Sequence, residues 1–297
     1  MSAYAVIDLA ACLRVDNFSK NEIYGKDNII MTHIICIANQ KGGVGKTTTA
    51  INLSAALSAA GKKILLVDCD SQANTTTGMG VDKGGLALTL YHGLIGDADV
   101  SDIILKTDIK RLWLIPARVE LIGFEFEMLE EDNRETILKQ MLQGCKDRFD
   151  FIILDCPPSL SLLTINAMAA ADGVLIPLQS EFYALEGLGQ LLQTIKRIKR
   201  QINPDLKVEG ILMTMFDRRT NLSGQVADDA EKYFKNQVFK TRIPRSIRLA
   251  EAPSYGKSIL LYDPASIGAK CYLSLAKEII KGRKRDSLVQ SRDQAAL

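Results

Sequence analysis

The stretch Asn39-Gln40-Lys41-Gly42-Gly43-Val44-Gly45-Lys46-Thr47-Thr48-Thr49 carries groups suited to holding a polyphosphate. Glycines 42, 43 and 45 let the backbone curl with its N–H groups pointing inward, and a helix starting at the loop's end adds the positive end of its dipole. Lys46 is placed to reach the β- and γ-phosphates, and the Thr47 hydroxyl to ligate Mg²⁺. The apolar run His33–Ala38 precedes the loop and an Ala/Leu-rich run from Ala50 to Ala60 follows it, giving strand, loop and helix in order. Gln40 stands where the usual pattern has its first glycine, and Lys41 adds a second cation. A solvated loop lysine is the plain reading of Lys41. Its place four residues from a cradle that already has a lysine suits instead a charge Lys46 cannot cover, such as phosphate held by a partner subunit.

Two acidic strand ends complete the chemistry. Asp68 and Asp70 follow the run Lys63–Val67, and strand alternation puts both on one side, facing the loop. A carboxylate at the end of a buried strand is costly unless a cation or N–H groups meet it; the plainer reading is that the pair caps the next turn. Phe151-Ile152-Ile153-Leu154-Asp155 ends four apolar residues in an acid, the form that keeps a carboxylate near Mg²⁺. Pro157 and Pro158 then stop the strand and stiffen the loop after it.

The sequence Lys-Gly-Gly-Val-Gly-Lys-Thr-Thr resembles the deviant Walker A motif of the ParA/Soj and MinD class of ATPases, and Asp155-Cys156-Pro157-Pro158 is similar to that class at the second acidic strand. The resemblance spans about Met31 to about Lys281. It implies that ATP and Mg²⁺ are the cofactors and that Lys41, Gly43, Val44, Gly45, Lys46, Thr47 and Thr48 bind the nucleotide. Lys41 is then expected to cross to the other subunit's phosphates in an ATP-bridged homodimer, with Gly42 and Gly43 letting the two loops approach. Asp70 positions or activates the attacking water, which makes Lys41, Lys46 and Asp70 the catalytic set. Thr47, Asp68 and Asp155 serve the metal. Further on, Thr214–Leu222 and Ile243–Lys257 resemble the C-terminal half of chromosome-type ParA proteins. That likeness implies that Pro244 and Ser246 border the base, and that Arg219 and Arg245 contribute to non-specific binding of double-stranded DNA. The plain reading of those arginines is weak surface ion pairing.

The elements that must position these groups alternate. Apolar runs at Lys63–Asp68, Leu112–Pro116, Phe149–Asp155, Val174–Leu178 and Val208–Met215 predict strands. Helical periodicity predicts Thr47–Ala60, Glu120–Cys145, Ser161–Ala171, Leu185–Ile202 and Ser223–Phe234. This is an α/β fold, a doubly wound, mainly parallel sheet with a phosphate loop, in which the strands' carboxyl ends share one edge. In Leu185–Ile202, Leu191, Ile195, Ile198 and Ile202 are expected to be buried, leaving Lys196, Arg197, Lys199 and Arg200 outward.

Of 297 residues, 47% are apolar and 24% charged, enough for a full core, and a formal net charge of +2 requires any nucleic-acid surface to be local. Six cysteines without a Cys-x-x-Cys pair point to reduced thiols and a cytoplasmic setting, and two histidines are too few for most histidine metal sites. Residues 1–30 read as a flexible segment or as a start that belongs at Met31; 31–281 read as one ATPase domain, and 282–297 as a polar tail containing part of the basic run Lys281–Arg285.

The expected function is ATP-dependent partitioning of chromosome or plasmid DNA, on the nucleoid, with hydrolysis stimulated by a ParB-like centromere-binding partner. A MinD-like ATPase acting on a membrane is the alternative, but residues 286–293 lack the large apolar residues of an amphipathic anchor. An iron–sulfur reductase would need cysteines poised to share a cluster, and a non-enzymatic scaffold would lack Asp70.

Overall fold

The structure, a computed structural model, describes residues 6–9, 31–181 and 184–295. Seven strands form one sheet: β1 (His33–Ile37), β2 (Ile64–Asp68), β3 (Leu105–Lys106), β4 (Leu112–Ile115), β5 (Phe151–Asp155), β6 (Gly173–Gln179) and β7 (Lys207–Thr214). Their order is β3-β4-β2-β5-β1-β6-β7, all neighbours parallel except the antiparallel β3–β4 edge. Central strands are nearly continuous apolar runs because both faces are covered. The β2 sequence Ile-Leu-Leu-Val-Asp, for example, is buried throughout.

Alternation sorts each strand between two cores. Ile34, Cys36, Leu65, Val67, Ile152 and Leu154 pack on one face with the helices α3 (Leu162–Ala170), α4 (Ala184–Gln201) and α5 (Asn221–Phe234). Ile35, Ile37, Ile64, Leu66, Phe151 and Ile153 pack on the other, beneath α1 (Lys46–Ala59) and α6 (Ile267–Ala295). Between β2 and β4, the short helix α2 (Asn74–Gly78) stands next to the strand-end acids. Asp68 and Asp155 share the parity of the second face, so both carboxylates stand under α1.

Three expectations differ from this architecture. Glu120–Cys145 is not one helix but short pieces, Val119–Ile122, Gly123–Glu127, Arg134–Thr136 and Ile137–Gln143. The acidic run Glu130–Asp132 separates them, and Asn133 takes a left-handed backbone (φ 61°) that a helix cannot continue through. Next, α6 continues across the expected domain end at Lys281, and within the basic run Arg283 is half-buried rather than loose. Its Nη1 donates to the Asp150 carbonyl at 2.9 Å and its guanidinium lies 4.9 Å from the Phe151 ring centroid. That places it at the strands' amino ends, away from the phosphate loop. Finally, within the segment 1–30, residues 6–9 are docked. Ile7 N–H donates to the Asp108 carbonyl at 2.6 Å, and the Ile7 carbonyl accepts from Lys110 N–H at 2.9 Å, while Leu9 is 2% exposed in the core beside Ile109. The other residues of that segment lie outside the described set.

The buried thiols are structural. Cys36 on β1 and Cys156, just past β5, approach to 3.3 Å between sulfurs, and their interaction and burial hold Cys36 protonated.

At the same amino end, His33 bridges two acids, Nε2 to Glu209 at 2.9 Å and Nδ1 to Asp172 at 3.5 Å. Burial alone would lower its pKa, but the hydrogen bonds to Asp172 and Glu209 win and raise it to about 9. A raised folded-state pKa gives stability that is full below the unfolded value of 6.5 and is lost as pH rises through about 9. Denaturant titration should therefore show His33→Asn destabilised by on the order of 2 kcal/mol at pH 6 and much less at pH 10. Equal destabilisation at both values would contradict this.

Candidate nucleotide site and the adjoining basic loops

The phosphate loop runs from β1 into α1. Gly43 (φ 74°) and Gly45 (φ 89°) adopt left-handed backbone, which only glycine enters cheaply, and Gly45 forms the N-terminal cap of α1. Asn39 braces the start: its Nδ2 donates to the Pro177 carbonyl at 2.7 Å, and its Oδ1 accepts the Lys41 N–H at 3.0 Å. At the middle, the Val44 carbonyl accepts from the Thr214 hydroxyl at 2.8 Å. Lys46 is buried with its ammonium 3.2 Å from the Lys41 carbonyl, and burial pulls its pKa down. The Thr48 carbonyl accepts from Asn52 Nδ2 at 2.7 Å within the first turn.

Thr47 and Asp155 meet: Thr47 Oγ1 donates to Asp155 Oδ2 at 2.8 Å. Thr75, from α2, donates to the same oxygen at 2.7 Å. Asp155 Oδ1 is buried with no hydrogen-bond partner among the described residues. Burial raises the Asp155 pKa to about 6, against the pull of the two threonines. A buried carboxylate with one orphaned oxygen beside a threonine hydroxyl fits a hard divalent cation. The residues present therefore suit Mg²⁺, with Thr47 and Asp155 as its holders.

Asp68 is differently occupied. Its Oδ2 accepts from the Thr76 N–H at 2.8 Å and hydroxyl at 2.7 Å, and its Oδ1 from the Asp70 N–H at 3.3 Å. Burial, then the neighbouring Asp155 charge, raises its pKa to about 7. The Thr76 oxygen in turn accepts the Ala117 N–H at 2.9 Å. Asp68 thus ties α2 to the segment just past β4. Asp70, buried at the mouth, spends Oδ1 on the Gln72 N–H at 3.0 Å. Lys46 and Asp155 both feel its charge.

Lys41 lies at the exposed lip, its ammonium paired with Glu181 of the same chain. Among the described residues, a side chain at Gly42 or Gly43 would meet nothing within 4 Å.

The two arginine segments adjoin each other. Phe216 N–H donates to the Ile243 carbonyl at 2.9 Å, and Arg245 N–H to the Phe216 carbonyl at 3.4 Å. Phe216 and Pro244 form a bridge, leaving Pro244 and Ser246 half-buried. Arg219 clamps Asp217 at 2.7 and 3.0 Å, and Arg219 first, with the Arg245 charge, holds the Asp217 carboxyl at about 2. Beside them a cavity of about 600 Å³ is lined by Arg218, Lys240, Arg242 and Lys270.

Sequence reasoning missed Thr75, Thr76, Thr214 and Glu181. The run Thr75–Thr77, five residues beyond Asp70, was the visible signal for the first two. Thr214 and Glu181 meet the loop from about 170 and 140 positions away, respectively.

A family profile described as an AAA domain matches residues 32–208. The sporulation initiation inhibitor protein Soj of Bacillus subtilis is 54% identical over 249 residues, covering 84% of this chain and 98% of that protein. The chromosome partitioning protein ParA of Myxococcus xanthus is 52% identical over 248 residues, covering 84% and 88%. Among solved structures, cobyrinic acid a,c-diamide synthase from Mycobacterium smegmatis with bound ADP and magnesium superposes with a TM-score of 0.76 at 37% identity, covering 86% of this chain and 96% of that one.

Protonation of Asp155 competes with the cation. Mg²⁺-dependent nucleotide affinity should therefore fall several-fold as pH drops below about 6. Asp155→Asn should bind weakly and with a shallower fall than wild-type from pH 8 to 5, the remaining fall coming from protonation of the nucleotide's own terminal phosphate. Calorimetry across that range checks both, and a wild-type profile no steeper than the variant's would contradict the assignment.

Proposed function

The chain belongs to the ParA/Soj family of chromosome-partitioning ATPases, and on that premise we propose that it binds DNA without sequence preference as an ATP-bridged homodimer and releases it when a ParB-like partner stimulates hydrolysis. As a member of that family it hydrolyses ATP with Mg²⁺ as cofactor. The observation that carries the DNA reading is the contact of the phosphate loop with the strand end from which the arginine loops begin, Thr214 Oγ1 to the Val44 carbonyl. The basic cavity beside those loops supports it, because phosphodiester backbones are bound through Lys and Arg.

Within the site, the loop N–H groups and Lys46 cradle the β- and γ-phosphates, and Thr47 and Asp155 hold the metal. When bound, Mg²⁺ offsets the charge of those phosphate oxygens. Asp70, beside Lys46, orients the water for in-line attack on the γ-phosphate. Pro244 and Ser246 border the base. Lys41, exposed at the lip, crosses to the partner's phosphates, and Gly42 and Gly43 leave room for the opposing loop. Hydrolysis then weakens the bridge, so DNA affinity reports nucleotide state. On this reading the protein acts on the nucleoid, in the cytoplasm. The diamide synthase activity of the similar solved structure belongs to that protein; the relatives at 52% and 54% identity favour partitioning.

Binding to arbitrary duplex DNA, measured with ATP, ADP and no nucleotide across a salt series, tests the reading. Tight, salt-sensitive binding is expected with ATP alone, reduced at least tenfold in Lys41→Ala, Arg219→Ala and Arg245→Ala. Equal weak binding in all nucleotide states would remove DNA as the ligand. Gly42→Val should still bind ATP as a monomer yet fail to dimerise by light scattering. A dimer of normal affinity would refute the opposed-loop geometry.

A further inference from the structure

The junction between the phosphate loop and the arginine loops rests on one side chain. Thr214, the last residue of β7, is 3% exposed, and its hydroxyl donates to Val44 in the middle of the loop. The next residue, Met215, is held in left-handed backbone (φ 48°), a conformation that disfavours side chains. Phe216 follows at once and is hydrogen-bonded on both sides, to the Ile243 carbonyl and from the Arg245 N–H. Ile243 N–H also returns to the Met213 carbonyl at 2.8 Å. A displacement of the Val44 peptide is therefore transmitted through a hydroxyl, one strained residue and a pair of backbone hydrogen bonds to both arginine segments.

Resting on the DNA reading for its consequence but not for its test, we infer that Thr214 is the positioning residue through which nucleotide in the phosphate loop sets the conformation of the loop carrying Arg219 and of the segment carrying Arg245. Thr214 touches no reacting atom in this role. The link is directional: the Thr214 hydroxyl bonds one chosen acceptor, the Val44 carbonyl, at 2.8 Å. Nucleotide binding orders the loop's N–H groups on phosphate, fixing the Val44 peptide. With the hydroxyl present, Met215 is then pinned between two fixed points. Without it, Met215–Thr220 samples its conformations whether or not the site is filled.

The test is amide hydrogen exchange over 215–220 and 243–246 in full-length protein, with and without Mg²⁺ and a slowly hydrolysed ATP analogue. Wild-type, Thr214→Val and Thr214→Ser are compared, and nucleotide affinity is measured alongside. Wild-type and Thr214→Ser should slow exchange in both segments at least fivefold on binding nucleotide. Thr214→Val, given nucleotide at a concentration that fills its site whatever its measured affinity, should lose that response. An unchanged response in Thr214→Val, or none in wild-type, overturns the inference. If Thr214→Val fails to fold, loss of the response in Thr214→Ser would also overturn it, because that variant keeps the hydroxyl. Duplex DNA binding on the same samples separates the two readings. A nucleotide response in the loops without any DNA binding leaves the coupling standing and removes DNA as its output.

Discussion

Everything at the nucleotide edge depends on where the buried charge of Asp155 goes. The carboxylate sits on a central strand, covered on both faces, with two threonines on one oxygen and, among the described residues, no donor on the other. A bare ion in that position is expensive, which is why its pKa rises to about 6. The surroundings offset the cost without removing it: α1 contributes Thr47, α2 contributes Thr75, and the buried Lys46 contributes a positive charge. Among the described residues that offset is incomplete, since one carboxylate oxygen keeps no partner and the pKa stays raised. Such a position favours a hard cation beside the carboxylate.

Asp68 shows how the fold keeps two acids from competing. It stands directly opposite Asp155 in register, on the adjacent strand. Had both carboxylates pointed at one cation with no other partner, the fold would have carried two uncompensated charges. Instead Asp68 is turned into α2, where Thr76 supplies two donors and passes the restraint on to the Ala117 N–H. The left-handed Ala73 (φ 53°) starts α2 at the angle that allows this. Asp155 keeps one oxygen unpartnered among the described residues, Asp68 organises the helix beside it, and Asp70 stays at the mouth.

Much of this was legible in the chain. Five-residue apolar runs ending in acids announced β2 and β5, and the glycine loop between a strand and an alanine-rich helix announced β1 and α1, because parity and backbone freedom are local properties. The broken stretch from Val119 to Gln143 was not, since its apolar spacing mimics a helix while Asn133 and the acidic run decide otherwise. Nor were Thr214 or Glu181 visible as parts of the site. Their contacts depend on which strands become neighbours, and pairing across more than a hundred residues leaves no short-range trace. The packing of Arg283 in the C-terminal basic run was not legible either, because the ring it covers, Phe151, lies far away in sequence.

The brace on α1 comes from the far end of the chain. Tyr272, fully buried on α6, meets Thr49 at 3.3 Å, and Asn52 accepts the Ile259 N–H at 2.7 Å. The strand leading into the loop, β1, is itself held between β5 and β6. During synthesis, which proceeds from the amino end, the loop motif leaves the ribosome early but lacks both its sheet neighbours and its outer cover. The loop motif is thus translated well before β5, β6 and the helix that cover it, and the contacts of Thr49 and Asn52 with Tyr272 and Ile259 can form only once those residues are made.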